Sequence, residues 1–360
     1  MESMFGSKLN VTIFGTSHGP EIGTVVKGFP KGEPVDMDRL RLFLSRRAPG
    51  RSALTTPRRE TDEPIVLSGI EDGKTTGEEI RIIFRNENTR SGDYAPFARI
   101  PRPNHADFTA PLRYGKEVDM RGGRHFSGRL TAPLCAAGGL AMQFLAARGI
   151  RIGGHILQIG PVRDSSFDPV EIDTQTLDRL GAMLFPVLDP AAEEAMKKVI
   201  EEARDAQDSV GGIVECAVTG LPAGLGDPMF AGIENRISAA VFGIPAVKAV
   251  AFGAGEAFAS MRGSEANDAF VLRDGRVRTQ TNHCGGILGG ISTGMPVLFT
   301  AAFKPTPSIG QPQKSVDLEE MRETVLQIKG RHDPCVVARA VPCVEAAAAC
   351  SVMDLFLGNE

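Results

Sequence analysis

The sequence predicts an α+β fold built as one large domain, and three observations carry that reading. Short β-branched runs bounded by Gly or Pro recur along the chain, two long segments are apolar almost all round, and strands and helices do not alternate strictly as they would in a doubly wound sheet. With 360 residues, 42% of them hydrophobic, the chain can bury at least one large core, and length alone permits one big domain or two. No low-complexity linker divides it. One domain over residues 1–360 is therefore expected, with a peripheral excursion near residues 159–206, the first part of which carries scattered Pro, Asp and Ser.

In chain order, strands are expected at residues 11–14, 65–67, 80–84, 212–218, 247–252 and 297–303. Residues 131–148 are apolar on nearly every side and close on Gly149, the pattern of a buried helix with a glycine C-cap. Residues 191–206 set Met196, Val199, Ile200 and Ala203 at helical spacing behind early acids, which predicts a surface amphipathic helix. Residues 341–357, with Pro342 at the start and Gly358 at the end, read as a second apolar helix that packs inside the protein or against a subunit.

Charge is unevenly placed. The formal net charge is -4, yet residues 39–129 hold 16 Arg and 2 Lys against 12 acids, a local surplus of six positive charges. Arg outnumbers Lys 29 to 11 overall. A guanidinium binds carboxylate or phosphate through two parallel hydrogen bonds, so the bias favours recognition of compact anions. Solvated faces and ion pairs explain about half of these Arg on ordinary expectations, but not those in loops. The negative total argues against a polyanion-binding surface over the whole molecule, and with no Trp and two Tyr there are few platforms for stacking bases. Six Cys without a CxxC pair lie in apolar or Gly-rich surroundings, as buried thiols do. No signal pattern and no run of about 18 apolar residues is found, so the cytosol is the expected location.

Of the six His, five sit in segments rich in Gly, Pro, Arg or Asp, where function tends to be carried. The exception, His155, is expected to be structural. His18 follows the first expected strand in Gly15-Thr16-Ser17-His18-Gly19, where glycines let the backbone approach a ligand. His105 stands between Arg102 and Asp107, close to a guanidinium and a carboxylate that can tune it; catalysis and a structural hydrogen bond fit it equally. Residues 121–129 combine three Arg with backbone donors just before the buried helix, a natural anion site without a Walker or Rossmann pattern. Residues 281–290 are a second Gly-rich stretch, followed by Lys304-Pro305-Thr306-Pro307-Ser308, with a pair of tight turns as the plain alternative. Gly330-Arg331-His332-Asp333-Pro334-Cys335 reads as one wall of a site for a small phosphorylated acid. No zinc-ligand spacing and no Gly-x-Ser-x-Gly elbow is found, which leaves acid–base and electrostatic chemistry.

Seven segments taken in order resemble chorismate synthase: residues 15–19, 102–107, Asp119-Met120-Arg121-Gly122-Gly123, Gly226-Asp227-Pro228, 282–290, 304–308 and 330–335. The resemblance implies helices sandwiched between antiparallel sheets, a homotetramer, and anti-1,4-elimination of phosphate from 5-enolpyruvylshikimate 3-phosphate with reduced FMN. NADPH enters only as an indirect source of reduction, and neither nucleic acid nor membrane is a partner. By the same resemblance His18 is the acid for the departing phosphate, His105 protonates or hydrogen-bonds the reduced flavin, and Asp333 assists flavin N5 in removing the C6 proton. Arg47, Arg102, Arg129 and Arg331 hold substrate anions, with Arg47 and Arg331 also at the flavin. Further flavin contacts map to His125, Phe126, Ser127, Pro245, Ala246, Gly289, Lys304, Pro305, Thr306, Pro307 and Ser308.

The chain departs from the usual family pattern at Thr16 (for Glu), Ala53 (for Arg), Arg124-His125-Phe126 (for Gly-Arg-Ser) and Leu130 (for Glu). Arg51, Arg58 or Arg124 is expected to restore the lost charge. Two other readings stay open at this point, a phosphate-handling relative that has lost flavin through the His125-Phe126 change and a nucleic-acid module on the basic first third.

Overall fold

The computed structural model describes residues 2–50, 61–86, 97, 99–115, 121–328 and 333–359, with the backbone alone at 121–122. The chain opens with β1 (Glu2–Phe5), β2 (Asn10–Gly15) and β3 (Glu21–Lys27), and Asp36 then caps α1 (Met37–Arg47) by accepting the amides of Asp38 and Arg39. After β4 (Ile65–Ser68) and a small hairpin of β5 (Ile70–Glu71) and β6 (Lys74–Thr75), β7 (Ile80–Arg85) inserts between β3 and β4. The first sheet is antiparallel, in the order β1-β2-β3-β7-β4.

A short α2 (Thr109–Tyr114) and two 3₁₀ turns, Arg121–Phe126 and Gly128–Leu130, lead into α3 (Thr131–Ala146). Next come β8 (Arg151–Ile159), β9 (Val162–Arg163), α4 (Thr174–Ala182), α5 (Pro190–Asp205) and β10 (Gly212–Thr219). They are followed by α6 (Ile233–Phe242), β11 (Val247–Phe252), a one-turn α7 (Gly263–Ala266), and the hairpins β12 (Phe270–Arg273) with β13 (Arg276–Thr279) and β14 (Ile287–Leu288) with β15 (Ile291–Ser292). The chain ends with β16 (Val297–Phe303), the hairpin of β17 (Gln313–Asp317) and β18 (Arg322–Leu326), and α8 (Val337–Gly358). The second sheet is also antiparallel, in the order β11-β16-β10-β8-β9.

Three helices lie between the two sheets, as the resemblance implied: α3 packs on β3 and β7, α8 packs on β8 and β10, and the two pack on each other with α1 against both, while α4 packs on the opposite face of β8. Small residues set the approach. A methyl group built on Gly138 would stand 2.3 Å from Cβ of Ala346, so the helices meet nearly backbone to backbone. The expected glycine cap of α3 is present: Gly149 has φ +81, and the amide of Ile150 reaches back to the carbonyl of Leu145 at 3.0 Å. The amphipathic α5 buries Ala192, Met196 and Ile200.

α8 differs from its expectation. It starts at Val337, and Pro342 stands inside it instead of opening it. An interior Pro costs about 3 kcal/mol by losing a helical hydrogen bond. Burial of Val337, Ala340 and Val341 against the core offsets that cost and extends the helix by about one turn. By length and mean hydropathy α8 is also the one described helix able to cross a bilayer, which counting uninterrupted apolar residues passed over. Its apolar window is 83% buried inside the protein. Two acids break the run and each is matched. Glu345 takes a bidentate bond from Arg46 (2.6 and 2.9 Å) and the amide of Gly154, and Asp354 accepts the amides of Ser7, Lys8 and Leu9.

Candidate active site

The β2–β3 connection carries His18. Gly15 has φ +90, and a side chain there would collide with the carbonyl of Glu21 at 2.5 Å, so only glycine lets the strand turn this sharply into the next. The turn closes through the amide of Gly19 on the carbonyl of Thr16 (3.0 Å), and Ser17 Oγ lies 3.2 Å from His18 Nδ1. The amide of Ser17 donates to the carbonyl of Arg124 (3.3 Å), which joins this loop to the 3₁₀ turn before α3.

His105 lies on the other flank of that turn. A methyl built on Gly123 would approach its Nε2 at 3.4 Å. Its Nδ1 is 2.7 Å from Oδ1 of the buried Asp107, 3.1 Å from Arg102 Nη2 and 3.2 Å from the Asp107 amide, which donates to it, and its Nε2 is turned toward Gly123. Arg102 grips the same carboxylate through Nε (2.6 Å), Nη2 (2.9 Å) and its own amide (3.1 Å), and its guanidinium stacks 4.6 Å over the Phe97 ring. Burial alone would raise the Asp107 pKa, but the hydrogen bonds and charges of Arg102 and His105 outweigh it and hold the carboxyl at about 2.

The 304–308 loop packs against this cluster. Arg102 Nη1 donates to Ser308 Oγ (3.2 Å), Lys304 Nζ donates to the carbonyl of Asn104 (3.0 Å), and the amide of Lys304 donates to the carbonyl of Ala246 (3.0 Å). Burial, and then the charge of Lys248, lowers the Lys304 pKa. Ala246, beside Pro245, has φ +77, a strained value for a residue with a Cβ. Thr306 Oγ1 is buried and makes no hydrogen bond among the described residues.

Arg47 and Arg129 are buried, not solvent-facing. Arg47, 1% exposed in the last turn of α1, donates through Nε to Asp62 Oδ2 (2.9 Å) and places Nη1 near the carbonyls of Gly128 and Arg129 and the hydroxyl of Thr131. Arg129 Nη1 pairs with the other oxygen of Asp62, while its Nε donates to Asn86 Oδ1 (3.1 Å) and its Nη2 to the carbonyl of Arg85 (3.3 Å). Asp333, at the mouth of α8, accepts from Arg339 Nη1 (2.6 Å), and Arg339 Nε donates to the carbonyl of Arg47 (3.0 Å).

A path of direct contacts thus runs from Asp333 through Arg47, Arg129 and the His18 loop to His105, Arg102, Lys304, Ser308 and Ala246. Ser127 caps the following turn by accepting from the amide of Arg129 (3.2 Å). His125 is tied elsewhere, with Nδ1 on the carbonyl of Gly15 (3.0 Å) and Nε2 on Ser3 Oγ (2.8 Å), and the half-exposed Phe126 sits 6.3 Å from the Tyr114 ring. Gly289 turns the β14–β15 hairpin and is not linked to the path by a described contact. Arg331, His332, Arg51, Ala53 and Arg58 lie outside the described residues.

Asn86, Asp62 and Arg339 belong to the path but were missed in the sequence. An acid inside a basic segment was the only signal for Asp62, and nothing local marks Asn86. His155, expected to be structural, is fully buried between Asp164 (3.2 Å) and Glu215 (2.8 Å), far along the chain from these segments.

A family model for chorismate synthase matches residues 9–357. A protein of Lancefieldella parvula named chorismate synthase is 46% identical over 98% of this chain and 96% of its own length. One of Methanocella arvoryzae with the same name is 46% identical over 99% and 94%. A crystal structure of chorismate synthase superposes with a TM-score of 0.76 at 26% identity, covering 98% of this chain and 93% of that one.

Proposed function

This chain belongs to the chorismate synthase family, and from that premise we propose that His18, His105 and Asp333 do its acid–base work while Arg47, Arg102, Arg129 and Arg331 order the anionic substrate. The chain is a lyase of aromatic amino acid biosynthesis, releasing phosphate from 5-enolpyruvylshikimate 3-phosphate to give chorismate. The observation that carries the residue assignment is the continuous path of contacts from Asp333 to His105, because residues scattered over more than 300 positions converge on it.

His18 donates a proton to the departing phosphate. Ser17 Oγ beside Nδ1 fixes the rotation of the ring. A general acid in hydrogen-bond reach of a leaving group typically contributes about 10²–10⁴-fold. The guanidinium of Arg129, aimed by Asp62, Asn86 and the Arg85 carbonyl, meets the charge that grows on that phosphate. His105, its Nδ1 held between Asp107 and Arg102, offers Nε2 toward Gly123. Asp333, directed by Arg339, serves the removal of the C6 proton.

The residues present fit a flavin. Lys304, Thr306 and Ser308 form a loop with one cation and two hydroxyls, and the unsatisfied buried hydroxyl of Thr306 is the kind of donor that a flavin phosphate or ring carbonyl takes up. Pro245, Ala246, Pro305, Pro307, Ser127 and Phe126 would line the same space, and Gly289 and Arg331 would complete it. His125 reaches a ligand only by releasing Gly15 or Ser3. Reduced FMN, when bound, supplies the electron-rich ring that this family's elimination requires.

We further take residues 1–360 as one domain, with residues 159–206 as an elaboration, assembling as a cytoplasmic homotetramer with NADPH only as an indirect source of reduction. Met229, Phe230, Phe270 and Leu272 are large apolar side chains left exposed, which subunit contacts would cover.

Anaerobic turnover of 5-enolpyruvylshikimate 3-phosphate with reduced FMN tests the reading: phosphate and chorismate should appear together, and no product would sink it. His18→Ala and His105→Ala should each lower kcat by about 10²-fold or more with the fold intact. Asp333→Asn should still bind substrate and flavin but turn over slowly. Wild-type turnover in any of the three removes that residue from the mechanism.

A further inference from the structure

Asn86 follows β7 by one residue, and its carboxamide is fully engaged. Nδ2 donates to the carbonyls of Thr16 (3.1 Å) and Gly19 (2.9 Å), the two ends of the turn that carries His18. Oδ1 accepts from Arg129 Nε (3.1 Å), and the backbone amide of Asn86 donates to the carbonyl of Pro20 (3.1 Å). We propose that Asn86 is a positioning residue that holds the His18 turn and the Arg129 guanidinium in one register, so that the proton donor and the cation face the same leaving group.

The reasoning is one of donor and acceptor count. The side chain has two N–H donors and one carbonyl, and each meets a partner of opposite kind: two carbonyls on the loop, one guanidinium on the far side. No other side chain offers this combination at this length. Asp keeps the acceptor for Arg129 but turns oxygen lone pairs on the carbonyls of Thr16 and Gly19. Ala supplies neither. Gln carries the groups one methylene too far. The inference rests on the reading of His18 as proton donor and Arg129 as anion contact, and its test is built to separate the two.

Asn86→Ala and Asn86→Asp are to be compared with wild type and His18→Ala. A displacement of about 1 Å near the reacting groups costs roughly 10²-fold, so both Asn86 variants should lose about 10–100-fold in kcat. With inorganic phosphate as probe in calorimetry, both should bind at least roughly fivefold more weakly, Asn86→Ala by the weight of one hydrogen bond that aims Arg129 and Asn86→Asp through the negative charge it sets beside that guanidinium. In protein carrying ¹⁵N-labelled histidine, the His18 ring, identified by its loss in His18→Ala, should change its resonance and titration midpoint in both variants while His155 stays unchanged.

If both variants melt at lower temperature yet keep the wild-type His18 titration and phosphate affinity, Asn86 only stabilises the fold and the proposal is overturned. If His18→Ala retains full turnover, the proton-donor reading fails instead, and the resonance and phosphate measurements alone decide the role of Asn86. Should Asn86→Ala not fold, the isosteric Asp variant carries the test through the His18 titration.

Discussion

Asp107→Asn removes one charge from the centre of the site and leaves the shape almost unchanged. Asp107 accepts three hydrogen bonds from Arg102 and faces His105 Nδ1 at 2.7 Å. Its carboxyl is held at about 2 against an ordinary 3.8. That depression is worth about 2–3 kcal/mol at neutral pH. Breaking a buried pair by removing one partner costs about 3–5 kcal/mol by mutational experience. Both figures describe one interaction, so the expected loss is about 2–4 kcal/mol.

The folded pKa of Asp107 is depressed, so its contribution is fully present above the unfolded value near 4 and disappears as pH falls through about 2. Urea titrations should therefore give a constant gap between wild type and variant from pH 7 to pH 5, narrowing to roughly half at pH 3. Turnover should fall by about 10²-fold as well, because His105 and Arg102 lose the carboxylate that fixes their positions. A variant within about 0.5 kcal/mol of wild type at pH 7, or a gap independent of pH down to 3, would refute the reasoning.

Two further perturbations test the core. Burial depresses the pKa of His155, but hydrogen bonds and charge from Asp164 and Glu215 outweigh it and raise the value, so the stabilisation is full below about pH 6.5 and fades as pH rises through the folded pKa. His155→Gln should lose about 3–5 kcal/mol at pH 6 and unfold with a flatter profile from pH 6 to 9; an unchanged slope would mean the imidazolium is not the stabilising form. Gly138→Ala gains about 1 kcal/mol of helix propensity, but its methyl would lie 2.3 Å from Cβ and 2.7 Å from the carbonyl of Ala346, so a net loss of about 1–3 kcal/mol is expected in thermal unfolding. A higher melting temperature would show that α3 and α8 can separate freely.

Local pattern carried far in this chain where one residue type decides the backbone. Gly149 announced the end of α3, and the β-branched runs at 247–252 and 297–303 became strands at those bounds. Pattern failed where burial overrode propensity, as at Pro342, whose helical setting depends on what α8 packs against. In the candidate site, His18 and His105 stood out by their surroundings, and Asp333 through the 330–335 loop and the family resemblance. Their supports could not. Asn86, Asp62 and Arg339 are ordinary polar residues locally, and their significance lies in partners 6 to 292 positions away.

Those supports also change what the Arg surplus means. Arg47 and Arg129 are not spread over a solvated face; they converge on opposite oxygens of the single buried carboxylate of Asp62. Arg102 has Asp107 to itself except for His105. Two guanidiniums held on one buried carboxylate are fixed in a place where water screens charge little. The same carboxylates hold the guanidiniums in fixed directions, so under the proposed assignment little reorganisation is needed to meet charge that develops on a substrate. A substrate bearing a phosphate and two carboxylates matches that arrangement. A polyanion would require the basic residues to lie outside, where Arg46, Arg47, Arg102 and Arg129 are not.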